Sequence, residues 1–269
     1  PIYASVARFG GARPVTYALD RTRAFGLSAA AIAERITART RVLVLNAPHN
    51  PTGGVAGAAE LEAVAALALR HDLIVISDEV YSRLCYDGGA AAIAAWPDLR
   101  ARTVLVDGFS KAYAMTGWRL GYGVLPPALA EAVTALIVNT TTCTPAFVQL
   151  AGLAALTGPQ DGQRAFVATL RARRDQLVAG LNAIPGITCA PPPGALYTFP
   201  DVRAVLERSG LDTDAFAARA LQDYGVALLP GTGFGPRGAG HLRLSFAAPA
   251  DVIAAALGRL GQCATDPVT

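Results

Sequence analysis

No apolar run in the chain approaches the ~18 to 20 residues needed to cross a bilayer, and the opening PIYASVARFG lacks the basic-then-apolar layout of a secretory signal. Neither membrane insertion nor secretion is expected. Cysteine is scarce: Cys85, Cys143, Cys189 and Cys263 lie far apart with no metal-ligand spacing. They read as reduced, mostly buried thiols of a cytoplasmic protein without a metal centre. Charged residues are few, at 16% against 52% hydrophobic, which excludes a disordered chain. The net charge is only +3, and the one basic cluster, Arg171, Arg173 and Arg174, falls in a helical pattern. That predicts a solvated helix face and no nucleic-acid partner. Methionine is nearly missing, with Met115 alone, and Pro1 is not an initiating residue. The chain reads as part of a longer one.

What is present is a repeating rhythm. Residues 41–46 (RVLVLN), 73–77 (LIVIS) and 103–107 (TVLVD) are short β-branched runs of the kind buried in parallel sheets. A Pro/Gly-rich turn and a helical segment, residues 58–71, separate the first two, and an Ala-rich helical stretch precedes the third. Strand, turn, helix, strand predicts a mainly parallel α/β sheet, whose ligands sit beyond the carboxyl ends of the strands. Residues 13–19 (RPVTYAL) alternate like a further strand, and Ser28 caps a helical AAAIAERI. Helices are expected over residues 126–139, 144–156 and 161–184. A smaller α+β unit follows, with strands at 196–199, 226–229 and 241–246 and helices at 213–224 and 251–260.

Unusual residues cluster at the strand ends. In residues 46–54 (NAPHNPTGG) two X-Pro pairs and two glycines fix a turn from which Asn50 can offer an amide; an ordinary Asn-Pro turn is the plainer alternative. His49, with no second ligand or acid beside it, reads as structural. Asp78, in SDEVY directly after LIVIS, is costly at a buried strand end unless a cation faces it. Residues 108–122 (GFSKAYAMTGWRLGY) bring Ser110, Lys111 and Arg119 near two strand ends. Lysine forms Schiff bases, and arginine offers a planar fork of donors matched to phosphate. Arg243 interrupts the apolar HLRLSF; an outward arginine on a surface strand explains it as well as a ligand site does. The glycine-rich PGTGFG upstream lacks the strand-to-helix setting of a nucleotide loop.

Together NAPHNPTG, SDEVY, GFSKAYAMTGWRLGY, PPGALYTFP and HLRLSF resemble the class I/II aminotransferases of the fold-type I pyridoxal-phosphate enzymes, in the family's order and over nearly the whole chain. The resemblance implies an α/β large domain with a mainly parallel sheet, residues 1–177, and a small α+β domain, residues 178–269. It implies pyridoxal 5'-phosphate as cofactor, amino-acid and 2-oxo-acid substrates, a ping-pong transfer of the amino group, and a homodimer. Lys111 would form the Schiff base and then act as the proton-moving base. Asp78 would keep the pyridine nitrogen protonated, Asn50 and Tyr81 would bond the ring's phenolic oxygen, Arg119 and Ser110 would grip the phosphate, and Arg243 would take the α-carboxylate.

Gly108 departs from the family, many of whose members carry a serine there. The family's glycine-rich phosphate loop, its first strand and the aromatic that stacks on the ring have no counterpart in these residues, so this chain is expected to hold only part of the site. Two rivals remain: a β-eliminating carbon-sulfur lyase on the same fold, and an aminotransferase-like sensor domain of a transcription regulator. The presence of Lys111, Asp78 and Arg119 speaks against a catalytically dead relative.

Overall fold

A computed structural model describes residues 2–267. The chain opens with helix α1 (Ile2–Phe9) and the short α2 (Ala29–Ala33), which Ser28 caps by accepting from the Ala31 N–H at 3.2 Å. Strand β1 (Val42–Asn46) then leads through α3 (Ala58–Arg70) to β2 (Ile74–Asp78), and α4 (Pro97–Arg100) precedes β3 (Thr103–Gly108). These three strands pair in parallel, as their β-branched runs predict. The one-turn helix α5 (Phe109–Ala112) starts where β3 ends, and β4 (Gly121–Val124) returns antiparallel beside β3. Leu43, Leu45 and Val75 of the sheet meet Leu61, Val64 and Ala68 of α3 in one apolar core.

Helices α6 (Pro127–Thr140), α7 (Ala146–Thr157) and α8 (Asp161–Asn182) follow. A second layer is built from β5 (Tyr197–Thr198), α9 (Arg203–Ser209), α10 (Thr213–Gln222), β6 (Leu229–Pro230), β7 (Leu242–Ser245) and α11 (Ala250–Thr265). Here β7 lies between β5 and β6, antiparallel to both. Its core joins Leu170 and Leu181 of α8, Phe216 of α10, Leu242 and Leu244 of β7, and Leu260 of α11. Tyr81, Leu84 and Tyr86, which follow β2, belong to this second core. The strand end carrying Asp78 is thereby tied to the small sheet carrying Arg243.

Several expectations are corrected. Residues 13–19 form no strand: the only bridge nearby is Asp20 with Gly26. Tyr17 and Leu19 gain their burial against the first core, with the Tyr17 hydroxyl donating to the Val44 carbonyl at 3.2 Å, so the alternating pattern is satisfied without a ladder. Helix α2 stops at Ala33, where Arg35 and Ile36 tighten to three-residue bonds with Ile32 and Ala33. The strand expected at 226–229 shrinks to Leu229–Pro230, because the Val226 N–H turns back to the Ala220 carbonyl at the end of α10. Helices α1 and α9 lie outside the segments whose periodicity predicts a helix.

The arginine cluster is not simply a solvated face either. Arg174 is buried, bonded to Asp87, Asp175 and the Pro192 carbonyl, with its guanidinium carbon 4.9 Å from the centre of the Tyr86 ring. Burial alone would lower its pKa, but the two carboxylates more than offset that. All four cysteines are free; Cys189 and Cys263 are buried, Cys85 is half-buried, and Cys143 is exposed on the turn after α6.

Candidate active site

The parallel strands end in register: Asn46 faces Asp78, and Asp78 faces Val106. This line is the carboxyl edge of the sheet, where side chains can reach a ligand without crossing a helix. Lys111 stands just past it, three residues beyond Gly108 in α5, with half-buried Ser110 before it. A β-carbon at Gly108 would lie 3.3 Å from the Leu120 carbonyl oxygen, a tight approach where β3 pairs with β4. Arg119 is exposed and left-handed at φ 52°, with Nη1 donating to the Thr116 carbonyl at 2.9 Å. Ala114, at φ 53°, shares that uncommon conformation, so strained backbone brackets the turn that presents Arg119.

The turn after β1 is closed by its own groups. The Asn50 N–H donates to Asn46 Oδ1 at 2.9 Å, while Asn50 Oδ1 accepts from Arg243 Nη1 at 3.1 Å. Gly53 is required by geometry, since its φ is +73° and a β-carbon would sit 2.4 Å from Pro192 Cβ. The same approach lets the Gly194 N–H reach the Gly53 carbonyl at 3.0 Å. The NPTGG and PPPGALY segments are thus locked together, which sets Tyr197 beside the turn.

His49 is structural, as its isolation in the sequence suggests. Its backbone exchanges two 2.7 Å bonds with Gly53 and Gly54, and Nδ1 is hydrogen-bonded to Thr52 Oγ1 at 2.9 Å. Burial pushes its imidazole down to about 4 from the ordinary 6.5. The unfolded chain therefore takes up this proton near pH 6.5 and the folded chain only near 4. The stability contribution is full above pH 6.5 and is lost as the pH falls toward 4, an effect of about 3 kcal/mol. Urea unfolding across this window should show the loss, and His49→Gln should flatten it; equal slopes for both proteins would show that His49 does not carry the effect.

Around Arg243 the small sheet supplies aromatic walls. The guanidinium carbon lies 4.5 Å from the centre of the Tyr197 ring and 5.0 Å from that of Phe234. The Tyr197 and Tyr81 hydroxyls share a 3.0 Å hydrogen bond. Tyr81 is buried, and that burial, helped by the bond to Tyr197, pushes its phenol up, so it stays protonated. On the other side Tyr3, from α1, donates to Asp78 Oδ2 at 2.6 Å, and the Val80 N–H reaches Oδ1 at 3.3 Å. Burial first, and the Asp78 carboxylate second, raise the Tyr3 phenol and keep it a donor. Burial also raises Glu79 and Asp107; Ser77 Oγ donates to Glu79 at 2.9 Å and the Tyr122 hydroxyl to Asp107 at 2.8 Å.

The sequence matches the family described as aminotransferase class I and II over residues 1–260. The chain belongs to this family. Among its relatives, the aspartate aminotransferase of Musicola paradisiaca is 39% identical over 98% of this chain and 66% of its own length. The arginine–pyruvate transaminase of Pseudomonas aeruginosa is 38% identical over 99% of this chain and 67% of its own. The chain thus spans about two thirds of the length of these curated relatives. The crystal structure of an aromatic aminotransferase from Pyrococcus horikoshii superposes with a TM-score of 0.92 at 34% identity, over 97% of this chain and 69% of that one. An aspartate aminotransferase from Thermus thermophilus with maleate gives 0.88 at 36%, over 97% and 66%. The architecture is accordingly the α/β aminotransferase fold, with a mostly parallel sheet and a small antiparallel one.

Aminotransferases of this family use pyridoxal phosphate, and the charges here fit that group. Among the ion pairs of the described residues, none includes Asp78, Lys111, Arg119 or Arg243. Their side chains are therefore not committed to ion pairs with one another. Sequence reasoning missed Tyr3, Tyr197 and Phe234, whose contacts depend on distant elements. It also passed over a signal in plain view: Lys111 is the only lysine in the chain.

Proposed function

We propose that the protein is a pyridoxal-phosphate-dependent aminotransferase that moves an amino group from an amino acid to a 2-oxo acid by a ping-pong mechanism. What supports this reading is the order of residues past the carboxyl ends of adjacent parallel strands: Asn50, bonded to Arg243, follows β1, Asp78 ends β2, and Lys111 follows β3. When bound, the cofactor supplies an electron sink next to the substrate α-carbon. Asp78 is the counter-charge for the ring nitrogen, with Tyr3 and the Val80 N–H holding its two oxygens. Tyr81 and the Asn50 amide would bond the ring's phenolic oxygen. Lys111 would hold the cofactor, and its amine would move a proton at the substrate α-carbon. Arg119 and Ser110 bind phosphate oxygens, and Arg243 receives the α-carboxylate in two parallel hydrogen bonds.

Within this proposal residues 1–177 form the fold-type I large domain and residues 178–269 the small one. A homodimer is supported by α6, which has no buried residue, and by exposed Leu136 and Val138 on α6 and Phe147 and Leu150 on α7. The test is to add pyridoxal phosphate, reduce one portion with borohydride and digest it, and assay a separate, unreduced portion with a panel of amino acids and 2-oxo acids. The cofactor mass is expected on the Lys111 peptide, with amino groups recovered on the oxo acid. A carbon-sulfur lyase would instead release a thiol, ammonia and an oxo acid from sulfur-containing donors, and an unlabelled Lys111 would sink both assignments.

A further inference from the structure

We propose that Tyr197 is a positioning residue that couples the arginine for the substrate carboxylate to the tyrosine on the cofactor side, with Phe234 as the second wall of that arginine; this rests on the aminotransferase reading above. Tyr197 on β5 pairs with Ser245 on β7, so Arg243, two residues back on β7, is its diagonal neighbour on the same face. Its ring lies 4.5 Å from the Arg243 guanidinium carbon, close enough for a cation–π contact. Its hydroxyl shares the 3.0 Å bond with Tyr81. One side chain therefore touches both halves of the proposed site.

Phe234 completes the enclosure from the loop after β6. That loop is closed by Gly231 and Gly238, where an added β-carbon on either glycine would fall about 2 Å from the other's carbonyl oxygen, and by the Gly231 N–H to the His241 carbonyl at 2.8 Å. With rings on two sides and Nη1 already given to Asn50, the guanidinium has little freedom to tilt. Its remaining N–H groups then offer one fixed edge, the geometry that a two-pronged carboxylate contact needs. Binding gains because the arginine is ordered before the ligand arrives.

The two contacts of Tyr197 are separable. Phenylalanine keeps the platform and loses the hydroxyl; leucine loses both. The probes are maleate, an unreactive dicarboxylate, titrated into the cofactor-loaded protein, and the pH dependence of the bound cofactor's absorbance. Tyr197→Leu should weaken maleate about tenfold, Tyr197→Phe by no more than about twofold, and Phe234→Leu by an intermediate factor. Tyr197→Phe should also move the pH midpoint of the absorbance change, because Tyr81 loses its partner, while Phe234→Leu should leave that midpoint in place.

Wild-type maleate affinity in Tyr197→Leu, equal losses in Tyr197→Phe and Tyr197→Leu, or an unmoved midpoint in Tyr197→Phe would overturn the proposal. If the wild type takes up no cofactor, it is the aminotransferase reading that fails. Calorimetric titration of maleate into the cofactor-free wild type and Tyr197→Leu then decides the platform alone: weaker binding in the variant supports it, and equal affinities or no binding to the wild type overturn it.

Discussion

Replacing Lys111 by alanine is expected to remove the visible absorbance of the lysine-bound cofactor and to lower amino-group transfer by about 10²- to 10⁴-fold or more, the contribution usual for a positioned acid–base group. In the proposed mechanism the amine would have two duties, covalent attachment and proton movement. Lys111 is the chain's only lysine, so no second ε-amine exists to form an alternative attachment. Its place in a one-turn helix, half-buried and outside both apolar cores, means that truncation leaves the packing intact. Circular dichroism and thermal unfolding should match the wild type. A Lys111→Ala protein with normal turnover would show that the covalent assignment is wrong.

Arg243→Lys is expected to raise KM for amino acids by about 10- to 100-fold, as the loss of one charge-assisted hydrogen bond of about 1.5–3 kcal/mol implies, with little change in affinity for the cofactor. Lysine keeps the charge but not the fork. An ammonium is tetrahedral: it cannot hold Asn50 Oδ1 and a two-pronged carboxylate in one plane, nor replace the planar guanidinium between Tyr197 and Phe234. Amines that lack the α-carboxylate provide the control: their KM should hardly move. Equal losses for both substrate types would mean that Arg243 does not bind that group.

Much of this was legible in one dimension because it depends on neighbours along the chain. The runs RVLVLN, LIVIS and TVLVD predict parallel strands, since continuous β-branched stretches are stable only inside a covered sheet. Asp78 draws attention as a charge directly after such a run, Lys111 as the lysine a few residues past another, and Arg119 as the residue that opens the next apolar stretch. Glycine at 53 and 54 announces a turn. What the local pattern misjudged is equally instructive: residues 13–19 alternate like a strand, yet the alternation records only that Tyr17 and Leu19 lie against the first core.

The sequence by itself determined the order of elements, the strand ends and the charged residues placed there, because hydrophobic periodicity and turn chemistry act over a few residues. Only the tertiary structure decided which of those residues meet. Asn50 and Arg243 are 193 positions apart, Tyr81 and Tyr197 116, and Tyr3 and Asp78 75. No local propensity encodes such pairs. The first two form because Gly53 lets the loop around Pro192 and Gly194 approach the first turn, and because Tyr81, Leu84 and Tyr86 bury themselves in the second core, drawing the small sheet onto the carboxyl edge of the large one.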